Sequence, residues 1–206
     1  SKVTDMSNMF NACYSLTAIP MLNTSKVTNM SQMFQNCYSL TTIPVLDTSK
    51  VTNMSQMFKS CYSIAAIHML DTSKVQNMSS MFQNCQSLTA IPQLDTRGVS
   101  NIPYIFENCY SLTSIPMLDT IRVQNMSMMF NACYSLTHAN IKNVKKAYDL
   151  SKANLLSKDS LLYLINNEAA TSAITIKLAS YAYTRLAEDA DVVAVLANHP
   201  NISISK

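Results

Sequence analysis

The sequence predicts an α/β solenoid in which each 24-residue repeat supplies a short parallel β-strand and a helical turn. The period is set by all of the cysteines and phenylalanines, and each phenylalanine precedes its cysteine by three residues. The pairs are Phe10/Cys13, Phe34/Cys37, Phe58/Cys61, Phe82/Cys85, Phe106/Cys109 and Phe130/Cys133. A fixed period between 20 and 50 residues is typical of stacked units that bury their apolar faces against one another.

Within one repeat, the spacing of apolar residues predicts two elements. Residues 31–37 are predicted as a helical turn, because Phe34 and Cys37 share one face with the preceding methionines. Residues 40–46 are predicted as a short extended segment, since Pro44 favours extended backbone before it. The Asp-Thr-Ser-Lys segment at 47–50 has turn chemistry. Its stacked Asp and Lys columns are interpreted as a solvated structural ridge.

Two regions follow from the repeat count: six repeats in residues 1–144, and a C-terminal capping region in residues 145–206. In the capping region the sequence predicts strands at 148–151, 174–178 and 202–204. It also predicts a helix at 157–167 capped by Ser157, and helical segments between 179 and 198. Their spacing near one repeat length favours a β-α-β-α-β continuation of the solenoid, with the strands added to the same parallel sheet. A separate domain is the alternative.

The chain starts directly in the repeat register, which we interpret as a fragment cut from a longer polypeptide. An uncapped first repeat would present an apolar edge. End-to-end self-association through that repeat is therefore one expected contact.

Composition excludes several classes of protein. With 48% hydrophobic and 13% charged residues, the chain is not intrinsically disordered. Its single glycine, Gly98, excludes glycine-rich phosphate loops. The formal charge of +3 is spread along the chain and argues against a nucleic-acid partner. No apolar run is long enough to predict membrane insertion.

The reactive residue types do not form a recognisable catalytic, cofactor or metal site. The cysteines are predicted to form a buried column rather than disulfides, because they follow the core phenylalanines. There is no Cys-x-x-Cys, and His68, His138 and His199 are far apart in sequence. Cys133 and His138 are the one close Cys/His pair, in a degenerate repeat. We therefore expect a non-enzymatic protein without a cofactor.

Two columns of side chains are candidates for partner binding. The first is an aromatic column interrupted by Gln86, and tyrosine offers large contact area at low entropic cost. It contains Tyr14, Tyr38, Tyr62, Tyr110 and Tyr134. The second lies beside the prolines and contains Met21, Val45, Met69, Gln93 and Met117. The tyrosines could instead only cover the core edge, and the second column could face inward as core.

The asparagines of Asn29-Met30-Ser31 and its equivalents formally match the N-glycosylation acceptor. Since the middle methionine is a predicted core position, we interpret these asparagines as a structural ladder that satisfies backbone hydrogen bonds.

The segment Cys-Tyr-Ser-Leu-Thr-Thr-Ile-Pro at 37–44, after Val-Thr-Asn-Met at 27–30 and Met33-Phe34, resembles the leucine-rich repeats of the BspA type, in their Met-Phe-rich variant. The fifth unit departs from the pattern with Ile102, Pro103 and Ile105, and the sixth at 138–141. The tail is similar to C-terminal segments in gut bacterial and phage proteins.

The resemblance implies an extracellular or cell-surface recognition or adhesion module that binds a host or microbial surface protein or glycan. A phage virion component, such as a tail fibre or receptor-binding tip, is the first alternative. A passive structural spacer is the second.

Overall fold

The computed structural model describes residues 2–145, 148–167 and 173–206. The 24-residue units stack in register through backbone hydrogen bonds from each unit to the next. The N–H groups of alternate residues donate to carbonyl oxygens 23 positions later, as from Phe34 to Met57 at 2.9 Å and from Asn36 to Lys59 at 2.8 Å. Isolated parallel bridges, such as those from Asn29 to Asn53 and from Asn53 to Asn77, accompany these bonds.

The predicted helical turn is wrong. Residues 31–37 form consecutive β-turns, in which the N–H of Met33 donates to Met30 and that of Cys37 to Phe34, three residues back. Gln32 and Asn36 have left-handed backbone, with φ of 59° and 61°. These residues break the regular helical ladder while leaving every third or fourth side chain on the core face. The apolar spacing is the same in both conformations, so it could not separate them.

The predicted strand of each repeat is present as a regular strand in the last two repeats. Strand β1, Ser114–Asp119, pairs in parallel with β2, His138–Lys142. In earlier units the corresponding segments have isolated contacts, such as the Ala90–Ser114 bridge and the Thr41 N–H to Thr17 carbonyl bond. Pro116 lies inside β1, where it has no N–H to donate, and the register of the β1-β2 pair shifts between Ile115 and Leu118.

The core is one continuous cluster built from the predicted positions. In the second unit the buried side chains are Val27, Met30, Met33, Phe34, Cys37, Leu40, Ile43 and Leu46. The six phenylalanine rings stack along the solenoid with centroids between 5.5 Å and 6.0 Å apart. Each unit thus completes the core of its neighbours.

The C-terminal region has the predicted order of elements. They are β3 (Tyr148–Leu150), α1 (Lys158–Asn166), β4 (Ile174–Leu178), α2 (Ser180–Leu186), α3 (Ala190–Ala197) and β5 (Ile202–Ser205). Ser157 caps α1 by accepting a hydrogen bond from the N–H of Ser160. The strands are parallel in the order β3-β4-β5. Among the residues described, no helix has the length and apolar character that a membrane crossing requires.

The expectation that these strands extend the sheet of the repeats' 40–46 segments is wrong. The described strands form two sheets, β1-β2 and β3-β4-β5. Asp149 of β3 lies one period after Asn125 in the sequence and accepts the Ser151 N–H at 2.7 Å, as Asn125 accepts that of Ser127. Helix α1 instead covers β2. The boundary at residue 145 stays a prediction.

Candidate functional site

One face of the repeats carries no charged residue. Residues 13–22, 37–46, 61–70, 85–94, 109–118 and 133–141 contain no Lys, Arg, Asp or Glu. In the second unit Leu40, Ile43 and Leu46 point into the core, which leaves the side chains of Tyr38, Thr41, Thr42 and Val45 exposed. We call these exposed positions and their counterparts in the other units the uncharged face.

The column that contains Met21 faces outward, which resolves the choice between core and surface. Met21 is 76% exposed and Met69 is 75% exposed, and Val45 and Gln93 are also exposed. Contact with a partner would remove this apolar surface from water, and long flexible side chains adapt easily to a partner's shape. The column is therefore a strip of flexible apolar contacts along the uncharged face.

The tyrosine column forms two stacks on the same face. Centroids are 4.9 Å apart for Tyr14 and Tyr38, 4.7 Å for Tyr38 and Tyr62, and 5.7 Å for Tyr110 and Tyr134. Gln86 separates the two stacks. Desolvation, followed by the neighbouring phenols, raises the pKa of Tyr38. The expected edge-of-core stacking is present, yet all of these rings except the half-buried Tyr62 remain exposed.

Helix α1 covers one end of the apolar strip. The hydroxyl of Tyr163 donates to the Sδ atom of Met117 at 3.0 Å, and Met117 is 44% exposed. Gln93 is also engaged, because its Nε2 donates to the Met117 carbonyl oxygen at 2.8 Å. Sequence reasoning missed Tyr163 as part of this surface, since it lies outside the 24-residue period that identified the columns. The part of the strip from Met21 to Met69 remains uncovered.

The asparagine ladder has the predicted structural role. Asn77 Oδ1 accepts hydrogen bonds from the Ser79 N–H at 2.9 Å and from its hydroxyl at 2.7 Å. Parallel bridges connect Asn29 to Asn53 and Asn53 to Asn77. The asparagine side chains close turns by accepting these hydrogen bonds. The match to the N-glycosylation acceptor therefore has a structural explanation.

The cysteines are free thiols, and five of the six are buried. Burial raises the pKa of Cys37 to about 11 and that of Cys133 to about 12. A thiol with such a pKa is protonated near neutral pH, so Cys133 has none of the activation that a nucleophile requires. His138 is exposed, and its Nδ1 lies 2.8 Å from the hydroxyl of Thr137. Within the described residues, no three His, Cys, Asp or Glu side chains are grouped to hold a metal ion.

Comparison with protein families identifies the class of this molecule. The family described as "Mycoplasma protein of unknown function, DUF285" matches residues 1–89 and 63–159. The chain belongs to that family. A search of curated proteins gives no significant match.

The fold is also similar to a solved structure, the leucine-rich repeat protein TpLRR of T. pallidum. The TM-score is 0.55 over 77% of this chain and 73% of the other, with 20% sequence identity. At that identity the similarity shows the fold alone. The chain thus has a leucine-rich-repeat type of fold.

Proposed function

We propose that this chain is a non-enzymatic, surface-exposed recognition or adhesion module that binds a surface protein or glycan of a host or bacterium through the uncharged face. The observation that carries the proposal is the row of highly exposed apolar side chains at Met21, Val45 and Met69 on a face without charge. A partner that covers this face removes apolar surface from water without desolvating any ion.

The tyrosine stacks supply the second part of the proposed interface. Tyr14 and Tyr38 are held in place by their neighbours, so little side-chain entropy is lost when a partner contacts them. Their hydroxyls can hydrogen-bond to a protein backbone or to sugar hydroxyls. Central aromatic contacts of this type carry most of the binding energy in many interfaces.

Family and fold support the class of function. DUF285 membership and the leucine-rich-repeat fold favour an interaction module over an enzyme. The resemblance to BspA-type repeats favours a bacterial cell surface and an adhesive role, and the same resemblance supports an extracellular location.

The test is binding of the fluorescently labelled chain to immobilised mucin, to matrix proteins and to intact gut bacterial cells. The informative variant is Met21→Gln with Met69→Gln, because Gln93 naturally occupies this column and shows that glutamine fits there. Lys26→Gln with Lys50→Gln, on the ridge outside the face, is the matched control. We expect the parent chain to bind at least one of these surfaces. The amount bound should fall about tenfold or more in the Met variant and stay unchanged in the Lys control.

Each contrary outcome has a definite meaning. Capture that the Met variant leaves unchanged would remove the uncharged face from the proposal. Binding to none of the three surfaces would contradict recognition and favour a passive spacer. Staining confined to a few bacterial strains would replace adhesion by the receptor-binding component of a phage virion.

A further inference from the structure

The repeats depart from their own consensus at one place on the ridge. The turn Asp-Thr-Ser-Lys at 47–50 and 71–74 becomes Asp-Thr-Arg-Gly at 95–98 and Asp-Thr-Ile-Arg at 119–122. The four changed side chains are all exposed, so core packing does not select them. They line two adjoining cavities of about 350 Å³ and 540 Å³, which share Gly98, Ile121 and Arg122. We call this pair of cavities the Gly98 groove.

Neither the backbone nor its surroundings require glycine at position 98. Its φ is not positive, and a Cβ atom added there would meet the Val75 carbonyl oxygen at 3.4 Å, an ordinary contact. Lys74 and Arg122 occupy the same column in the adjacent units. The missing side chain therefore leaves open space, and Gly98 forms the floor of the groove.

The charges around the groove leave a positive excess at one end. Asp95 accepts from Arg97 Nε at 3.0 Å and Nη2 at 2.7 Å. Asp119 lies 3.4 Å from Lys142 Nζ. The pKa values of both carboxyl groups are lowered: the hydrogen bond from Arg97 is the main cause at Asp95, and hydrogen bonds together with Lys142 outweigh desolvation at Asp119.

Two further cations, Arg122 and Lys145, line the larger cavity. Within the described residues, Arg122 and Lys145 form no ion pair of 4 Å or less. The planar guanidinium of arginine matches the paired oxygens of a carboxylate or sulfate. Ile121 offers an apolar surface and Ser100 a hydroxyl in the same cavity. The groove thus combines an anion-binding end with a mixed surface that has room for a sugar ring.

We propose that the Gly98 groove binds an acidic saccharide unit whose carboxylate or sulfate group contacts Arg122 and Lys145 while its ring covers Gly98 and Ile121. The site lies on the ridge, outside the uncharged face, so it stands independently of the proposed function. An uncharged sugar lacks the group that these two cations would hold, and an inorganic anion lacks the ring that would fill the space above Gly98.

The test is calorimetric titration of the full chain with glucuronate, glucose 6-sulfate, glucose and inorganic sulfate at low ionic strength. We expect at least one acidic sugar to bind at least tenfold more tightly than glucose and than inorganic sulfate. The first two arms distinguish a carboxylate from a sulfate ester. Equal affinity for glucose would overturn the role of the cations, and equal affinity for inorganic sulfate would overturn the sugar-ring contact.

Three variants locate the site. Gly98→Leu fills the groove without adding a charge, so it should abolish binding, whereas Gly98→Ala should retain most of it. Arg122→Gln should weaken binding about tenfold or more. Lys50→Gln, in the same column but outside the groove, is the matched control, and thermal unfolding of each variant verifies folding. Binding that survives in both Gly98→Leu and Arg122→Gln, or no binding of either acidic sugar, would contradict the proposal.

Discussion

The thiol of Cys85 donates a hydrogen bond to the carbonyl oxygen of Phe58, 27 residues earlier, at 3.1 Å. The same bond joins Cys61 to Phe34 and Cys109 to Phe82. Each of the five buried cysteines therefore fills core space and also donates to a carbonyl oxygen of the preceding unit. Because the S–H group is the donor, the bond exists only while the thiol is protonated.

This arrangement predicts selective alkylation. Cys13 is exposed, whereas the other five cysteines are buried. In the folded chain at pH 8, iodoacetamide should label Cys13 rapidly and leave the others unmodified, because the reactive species is an accessible thiolate. Mass spectrometry of tryptic peptides measures the sites, with a denatured sample as the control. Rapid labelling of Cys85 without denaturant would contradict the buried ladder.

The same thiols predict a loss of stability at alkaline pH. An unfolded cysteine has a pKa of about 8.5, whereas burial raises that of Cys37 to about 11 and that of Cys133 to about 12. The raised folded pKa means that the native state keeps its protons while the unfolded state loses them. The stabilising contribution is complete below about pH 8 and declines as pH rises through the unfolded pKa towards the folded one.

Denaturant unfolding at pH 7, 8, 9 and 10 measures this decline. In Cys133→Ala one such group is missing, so the variant should lose less stability than the parent chain between pH 8 and pH 10. Parallel curves for the two proteins would show that Cys133 does not contribute to the pH dependence.

The stacked phenylalanines predict a large and shared energetic cost of truncation. Phe58 is fully buried, and its ring lies 5.6 Å from that of Phe34 and 5.8 Å from that of Phe82. Phe58→Ala should lower the free energy of unfolding by about 3 to 5 kcal/mol. Phe10→Ala should cost less, because Phe10 is only partly buried. Urea unfolding followed by circular dichroism compares the two variants. Equal losses of unfolding free energy would contradict a core that is better packed at Phe58 than at Phe10.

The sequence was sufficient to predict the repeat, its core residues and the elements of the tail. Period and spacing alone place Phe34, Cys37 and Leu40 in the core, and a serine before an amphipathic run places the N-cap of α1 at Ser157. These features depend on local chemistry and on burial, which leave a direct pattern in the sequence.

Backbone conformation and the ends of the ladders were less predictable. Left-handed backbone at Gln32 has no residue signal, because glutamine is not a typical residue for positive φ. The sequence could not place β3, because the tail can follow either the stacked 40–46 segments or the column that contains Asn125. Ser160 has no counterpart in the repeats, so the 24-residue period could not predict its role. For the uncharged face, the sequence predicted the columns, but the outward direction of Met21 and the contact from Tyr163 required the structure.

The left-handed positions predict that glycine stabilises the fold at Met128. Its φ is 55° and its side chain is 50% exposed. A non-glycine residue with this backbone conformation destabilises the folded state by about 1 to 2 kcal/mol. Glycine removes that strain but costs about 0.5 to 1 kcal/mol, because it makes the unfolded chain more flexible. Met128→Gly should therefore raise stability by roughly 0.5 kcal/mol. Met9 is equally exposed but has no positive φ, so Met9→Gly should be destabilising. Thermal unfolding of both variants provides the comparison, and destabilisation by both would contradict backbone strain.

The hydroxyl of Ser160 predicts how strongly the tail is coupled to the repeats. It is buried, accepts the Ala139 N–H at 2.8 Å and donates to the Ala139 carbonyl at 3.3 Å, so it completes the edge of β2. Ser160→Ala leaves both backbone groups buried without this partner.

We expect Ser160→Ala to cost about 1 to 3 kcal/mol, and Ser203→Ala, at the more open β5 strand, to cost less. If α1 continues the cooperative stack, the Ser160 variant still unfolds in one transition, shifted to lower denaturant, when followed by the tyrosine signal and by circular dichroism. Two separated transitions would instead identify residues 145–206 as a domain that folds on its own, because the loss of one shared hydrogen-bonding group would then uncouple the tail without weakening the repeats.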